Sequence, residues 1–271
     1  MKVIAVFGRK GGSGKTMVSH FLAHGMSMLN YTTIMLQTDV RTSRPAEILE
    51  GRSYMLASIR GDPGSDITLI QKVVDQVEAI PNSVLIIDGG ANRRNLDLAL
   101  VPLADIVLVP TGYSPEDLAV AEADFWELTN GMAEAGSKAE AFIIMNRWPG
   151  IVKKLHAIHQ KGWVREFLVR AERQRNLFPF FVPDMPSLLD MANADSPRYT
   201  PLIDGKARGF ARIVATKVGL TGHDDEDEGG GSSDAVSAFD LAAANDGGEV
   251  DDGSGGDEVV AAVQPLRKVA V

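Results

Sequence analysis

The chain of 271 residues is 45% hydrophobic and 23% charged, enough for an α/β domain with an ordinary core and too apolar to be wholly disordered. It contains no cysteine, which excludes disulfide frameworks, thiolate zinc sites, iron–sulfur clusters and cysteine nucleophiles. The net charge of −9 is unevenly placed: from His223 onward 13 acidic residues face 2 basic ones, a local charge of −11, so residues 1–222 carry +2.

The opening MKVIAVFGRK has an apolar run too short for a signal peptide, and no later stretch reaches membrane-spanning length without a charge, proline or glycine. The chain therefore reads as cytoplasmic, with no membrane partner. Residues 3–7 form a short β-branched and aromatic run ending in glycine, the pattern of a buried parallel strand. A glycine-rich loop follows, and then residues 16–29 place apolar side chains at helical spacing. Further strand-like runs recur at residues 33–36, 84–87, 106–109, 141–145 and 178–182, with helical patterns between them, for example at 67–77 and 118–128. Alternation of this kind predicts an α/β fold, a mainly parallel twisted sheet with helices on both faces.

Composition changes after Gly222, where acidic runs mix with glycine and serine, and such a segment cannot bury enough apolar surface to fold alone. The expected organisation is one domain over 1–222 and a disordered acidic tail over 223–271, interrupted by two less acidic islands at 235–244 and 259–271.

The strongest chemical signal is Lys10-Gly11-Gly12-Ser13-Gly14-Lys15-Thr16, placed where a strand turns into a helix. Glycines let successive backbone N–H groups point at a phosphate chain, and the helix N-terminus adds positive potential. Lys15 suits the outer phosphates and Thr16 a magnesium ion, while Met17 begins the helix behind the cradle. A glycine-rich turn with incidental lysines would not explain the strand before the loop, the helix after it and the GKT ending together. One departure stands out: Arg9 occupies the position where the ordinary phosphate loop begins with glycine.

From this loop onward the chain resembles the ParA/MinD family of P-loop ATPases, whose deviant Walker A motif reads KGGxGKT. The resemblance covers residues 1 to about 218 and is weakest between 51 and 82. It implies that ATP and Mg2+ are the cofactors, and that Lys10 crosses an ATP-dependent homodimer to the phosphates of the opposite subunit. Gln37-Thr38-Asp39-Val40-Arg41 aligns with the family's DxDPQ segment. Asp39 then orients the attacking water and helps to hold magnesium, while Gln37, Val40 and Arg41 depart from the pattern. Asp88, which ends the run Val84-Leu85-Ile86-Ile87, matches the Walker B carboxylate and its magnesium role. Ala104-Asp105-Ile106-Val107-Leu108-Val109-Pro110 is similar to the family's "ADxVLVP" strand. Asn146 ends a strand resembling "xxNR", where the asparagine reads the adenine edge, and Pro183 and Asp184 lie in the loop that packs on the base.

The family resemblance further implies a positioning or partition ATPase with an adaptor protein that stimulates hydrolysis. Nonspecific DNA as a partner, and association with the nucleoid, rest partly on charge. Arg147 to Arg175 holds eight basic residues against Glu166 and Glu172, and Arg198 to Lys217 holds five against Asp204. Lys161, Arg165, Arg170 and Arg173 can share a helix surface, although pairing of Glu166 with Arg170 would make that face an ordinary solvated one. The acidic Asp184 argues against a standard DNA footprint.

A MinD-like or MipZ-like division-site ATPase and a metabolic ATP-dependent enzyme on the same fold are the alternatives. Against a membrane-binding MinD-like end, Pro265 interrupts the C-terminal apolar island. The pairs His20/His24 and His156/His159, and the tryptophans Trp126, Trp148 and Trp163, read as surface or packing residues rather than ligands or base platforms.

Overall fold

A computed structural model describes residues 1–40, 44–49, 51–60, 66–91, 93–148, 161–188, 191 and 197–220. Among them, β1 (Lys2–Val6), α1 (Lys15–Met28), β2 (Thr32–Val40), β3 (Arg44–Glu47), β4 (Met55–Arg60) and α2 (Asp66–Glu78) form the first half. The second half comprises β5 (Ser83–Asp88), α3 (Arg94–Leu100), β6 (Ile106–Thr111), α4 (Pro115–Glu134), β7 (Glu140–Asn146), α5 (Gly162–Gln174), β8 (Leu177–Val182) and α6 (Pro201–Lys217). The strands make one eight-stranded sheet in the order β3-β4-β2-β5-β1-β6-β7-β8. Every neighbouring pair is parallel except β3 with β4, so the expected doubly covered, mainly parallel sheet is what forms.

The period-two alternation of the strands divides the core. On β1, Val3 and Ala5 face one apolar layer while Ile4 and Val6 face the other, and β5 and β6 alternate in the same way. The first layer is closed by α2, α3, α4 and α5, the second by α1 and α6. Contact between α1 and α6 is close: a Cβ on Gly25 would lie 2.2 Å from the Ala207 carbonyl oxygen. A mid-helix glycine disfavours helix by about 1 kcal/mol relative to alanine, and here that loss is what lets the second layer close.

Two helices begin on sequence signals of the expected kind. Ser114 accepts a hydrogen bond from Asp117 N at the start of α4, Thr200 accepts one from Ile203 N at the start of α6, and each is followed by proline. Because the strands run parallel, the residues that follow β1, β2, β5, β6, β7 and β8 collect along one edge of the sheet. In open α/β sheets that carboxyl edge is where ligands bind.

Candidate nucleotide-binding site

The phosphate-type loop leaves β1 at the centre of the sheet and leads directly into α1. Gly12 (φ 78°) and Gly14 (φ 95°) adopt left-handed conformations that glycine enters without strain, and they turn the chain around the cradle. Gly14 is needed for a second reason: a Cβ there would sit 1.9 Å from Asn146 Nδ2. That amide nitrogen donates a 2.8 Å hydrogen bond to the Ser13 carbonyl, tying the end of β7 to the loop. Asn146 is 1% exposed, and its Oδ1 is a buried acceptor without a hydrogen-bond partner. The asparagine read from the sequence as a base contact clamps the phosphate loop in this structure, and its unpaired buried acceptor could take a ligand N–H.

Lys15 is buried at 6% exposure, and its Nζ donates to the Lys10 carbonyl at 3.0 Å, which the Ser13 hydroxyl also approaches at 3.2 Å. Behind it stands Asp88 at the end of β5, 4% exposed, with Oδ1 accepting from Ser19 Oγ at 3.1 Å. Burial pushes the Asp88 carboxyl up to about 6, against the opposing pull of Thr16, Ser19, Lys15 and Gln37. A magnesium ion would supply the positive charge that this burial lacks. Gln37 is the register partner of Asp88 across β2 and β5. The departure from aspartate at position 37 therefore sets an amide, and not a second carboxylate, against Asp88, avoiding like-charge repulsion there.

The remaining sequence assignments gather at the same edge. Gly11 and Gly12 are exposed on the loop, and Thr16 is half-buried at the first turn of α1 with Met17 buried behind it. The backbone of Asp39 lies near the end of β2, where the pairing with β4 shifts register between Gln37 and Val40; its side chain lies outside the described residues. Pro183 is buried just past β8 and Asp184 is exposed beside it.

Sequence reading missed the acids that hold the loop from the side. Asp124 of α4 accepts the Arg9 backbone N–H through Oδ2 at 2.8 Å and pairs with the Arg9 guanidinium through Oδ1. Asp117, two turns earlier on the same helix, pairs with Lys10. Asp97 of α3 is buried beside Gly89, and desolvation pushes its carboxyl up to about 7. None of the three belongs to a sequence motif; only the packing of α3 and α4 against the loop reveals them.

Other expectations need correction. His20 and His24 are neither surface residues nor simple packing. His20 contacts Tyr54 Oη at 2.5 Å and Arg52 at 3.2 Å, while His24 contacts Asp204 at 2.8 Å and stacks on Tyr199 with ring centroids 3.7 Å apart. They form a polar network behind α1. Burial, and next the charge of Arg52, pushes His20 down to about 3, so it is neutral there. Trp148 packs as expected, with Nε1 donating to the Thr111 carbonyl at 3.0 Å, whereas Trp126 is 47% exposed on α4. Arg170 pairs with Glu122 of α4 at 3.0 Å and not with Glu166 of its own helix. Lys161, Arg165 and Arg173 are exposed, Lys161 just before α5 and the two arginines on it. Lys153, Lys154, His156 and His159, and the tail with its two islands, lie outside the described residues.

No family model matches the chain, and no curated protein does. Solved structures do. MinD from Pyrococcus horikoshii, complexed with Mg-ADP, superposes with a TM-score of 0.55 at 13% identity, over 81% of this chain and 98% of that one. An ATP complex of a McdA variant from Cyanothece gives 0.55 at 17% identity, over 79% and 96%. A putative plasmid partition protein from Borrelia burgdorferi bound to AMPPNP gives 0.56 at 12% identity, over 80% and 99%. The fold is shared with these MinD, McdA and plasmid partition proteins. At these identities the likeness is one of architecture, and it spans nearly the whole length of each relative. No helix among the described residues is long and apolar enough to cross a membrane.

Proposed function

We propose that this chain is an ATP-dependent, dimerising ATPase of the ParA/MinD kind that positions or segregates a cargo. The observation that carries the reading is the loop itself. Buried Lys15 lies beside a glycine-turned cradle at a helix N-terminus, with a desolvated carboxylate, Asp88, immediately behind. The MinD/ParA fold and the nucleotides held by the three related structures support it.

On this reading Lys15 leaves the Lys10 carbonyl to bind outer phosphate oxygens, and backbone N–H groups of residues 11–16 bind the rest of the chain. The Thr16 hydroxyl, Asp88 and Asp39 hold the magnesium ion, which when bound neutralises charge on the phosphates. Asp39 orients the attacking water, Asn146 offers its free Oδ1 to the base edge, and Pro183 packs against the base. Lys10 acts across the dimer. We assign residues 1–222 to the ATPase domain and 223–271 to a tail outside it, and we place the protein in the cytoplasm, with nonspecific DNA as its surface and an adaptor as its activator.

ATP hydrolysis measured alone, with nonspecific duplex DNA and with the product of the adjacent gene tests the reading. Stimulation by a macromolecular partner, with sedimentation showing an ATP-dependent dimer that Lys10→Ala loses, is the expected result. Turnover that requires a small acid substrate would make this a metabolic enzyme instead.

A further inference from the structure

Strand β2 outlasts its regular pairing at the end that carries Asp39. Its register with β5 stops where Gln37 meets Asp88, and its register with β4 slips between Gln37 and Val40. The backbone on which Asp39 is mounted is therefore not set by the regular ladder alone. Side chains hold it as well. Thr38 is 1% exposed, and its hydroxyl donates to the Asp88 carbonyl at 3.0 Å. The Thr38 carbonyl in turn accepts from the guanidinium of Arg93. A carbonyl at a buried residue needs a donor, and a charged donor makes a stronger bond than a neutral one.

Arg93 is partly buried at the start of α3, on the segment that leaves β5 after Asp88. Its own carbonyl accepts the Asp97 N–H at 3.0 Å, and Asp97 lies against Gly89. The start of α3 is thus fastened both to the strand end of Asp88 and to that of Asp39. Its neighbour Arg94 is used differently: it is exposed and pairs with Glu127 of α4.

We infer that Arg93 is a positioning residue for ATP hydrolysis, fixing the backbone at Thr38 so that the neighbouring Asp39 is held in place against the attacking water. The inference rests on the proposed function above, in which Asp39 orients that water, and it adds the residue through which Asp39 is held. Arg93 acts through Asp39 and not on the nucleotide, so its loss falls on turnover and not on ATP affinity.

The test is a double-mutant cycle on single-turnover hydrolysis in the full chain, with ATP affinity measured beside it, using Arg93→Ala, Asp39→Ala and the combination. Arg93→Ala is expected to slow hydrolysis about ten- to a hundred-fold, the scale of one hydrogen bond to a charged group, with ATP affinity within about two-fold of the wild type. Arg93→Lys should restore part of the rate, and Arg94→Ala should turn over like the wild type. In the Asp39→Ala background, Arg93→Ala should cost nothing further. A full additional loss in that background would mean that Arg93 works independently of Asp39 and would overturn the inference. So would unchanged turnover, or a loss of affinity as large as the loss of rate. If Arg93→Ala does not fold, Arg93→Gln, which keeps a neutral donor, carries the same cycle. A wild type that Asp39→Ala does not slow would fail the hydrolysis reading itself and the inference with it, an outcome separate from a cycle that adds.

Discussion

Asp97→Asn is expected to stabilise the nucleotide-free protein at alkaline pH and not at acid pH. Asp97 is 3% exposed, and its Oδ1 has no hydrogen-bond partner. Burial raises its carboxyl from 3.8 to about 7; the Gly8 backbone and Lys15 oppose this, and Asp124 adds to it. A carboxyl raised in the folded state contributes stability that is present below its unfolded value and is lost as pH climbs through the folded one. Between about pH 4 and pH 7 the ionising side chain therefore removes roughly 4 kcal/mol, from about three pH units at 1.36 kcal/mol each. The asparagine amide keeps a neutral shape but buries an N–H group, which costs about 1–3 kcal/mol.

The expected net gain is about 1–3 kcal/mol at pH 8, or roughly 2–12 °C in melting temperature for a domain of this size. At pH 4, where the folded wild type keeps Asp97 neutral, the variant should be weaker than the wild type by about the same 1–3 kcal/mol that its buried N–H group costs. Thermal or urea unfolding of both proteins from pH 4 to 8 gives the difference directly. Subtraction matters because His20, held down to about 3, loses stability as pH falls below 6.5 and so bends each separate profile the opposite way. A difference between the two proteins that stays flat across that range would refute the reasoning, because Asp97 would then ionise equally well folded and unfolded. A gain at pH 8 would also mean that the wild type keeps a costly anion beside the phosphate loop, as expected of a group retained for the site's electrostatics.

Gly25→Ala should destabilise the fold by about 1–3 kcal/mol despite alanine's better helix propensity, because the new methyl meets the Ala207 carbonyl; a melt equal to the wild type would show that α1 and α6 can separate without loss. Asp39→Ala should leave ATP binding intact and slow hydrolysis about ten-fold or more, and unchanged turnover in single-turnover assays would remove Asp39 from its role. If the basic region meets DNA, binding should weaken steeply with salt, and Arg165→Glu with Arg170→Glu should weaken it further without touching ATP affinity. Truncation after Gly222 should tighten it, since a tail of charge −11 competes for the basic surface; equal binding by full and truncated chains across a salt series would show that it does not.

Six of the eight strands (β1, β2, β5, β6, β7 and β8) were legible because they read as apolar runs, whereas β4 inside the sheet was not. Lys15 and Asp88 were legible because the loop's chemistry demands particular residues at fixed spacing. The β3 edge escaped for a physical reason: β3 is Arg-Pro-Ala-Glu, paired on one side only and antiparallel to β4, and nothing in it carries the pattern of a buried strand. Asp117, Asp124 and Asp97 escaped because an acid on a helix reads as a solvated residue until its neighbours across the fold are known. The polar network of His20, Arg52 and Tyr54 is of the same kind. His20 and His24 have the spacing of a surface pair, and they are buried by residues 52–54 and, for His24, by Tyr199 and Asp204 as well.

Calorimetric titration of ATP with magnesium into the wild type and into Lys15→Ala tests the central claim most directly. The account predicts saturable binding by the wild type, with the Lys15→Ala variant folded and silent, because the loop's buried ammonium is what meets the outer phosphates. A wild type that takes up no nucleotide, or a Lys15→Ala variant that binds ATP as tightly as the wild type, would contradict it.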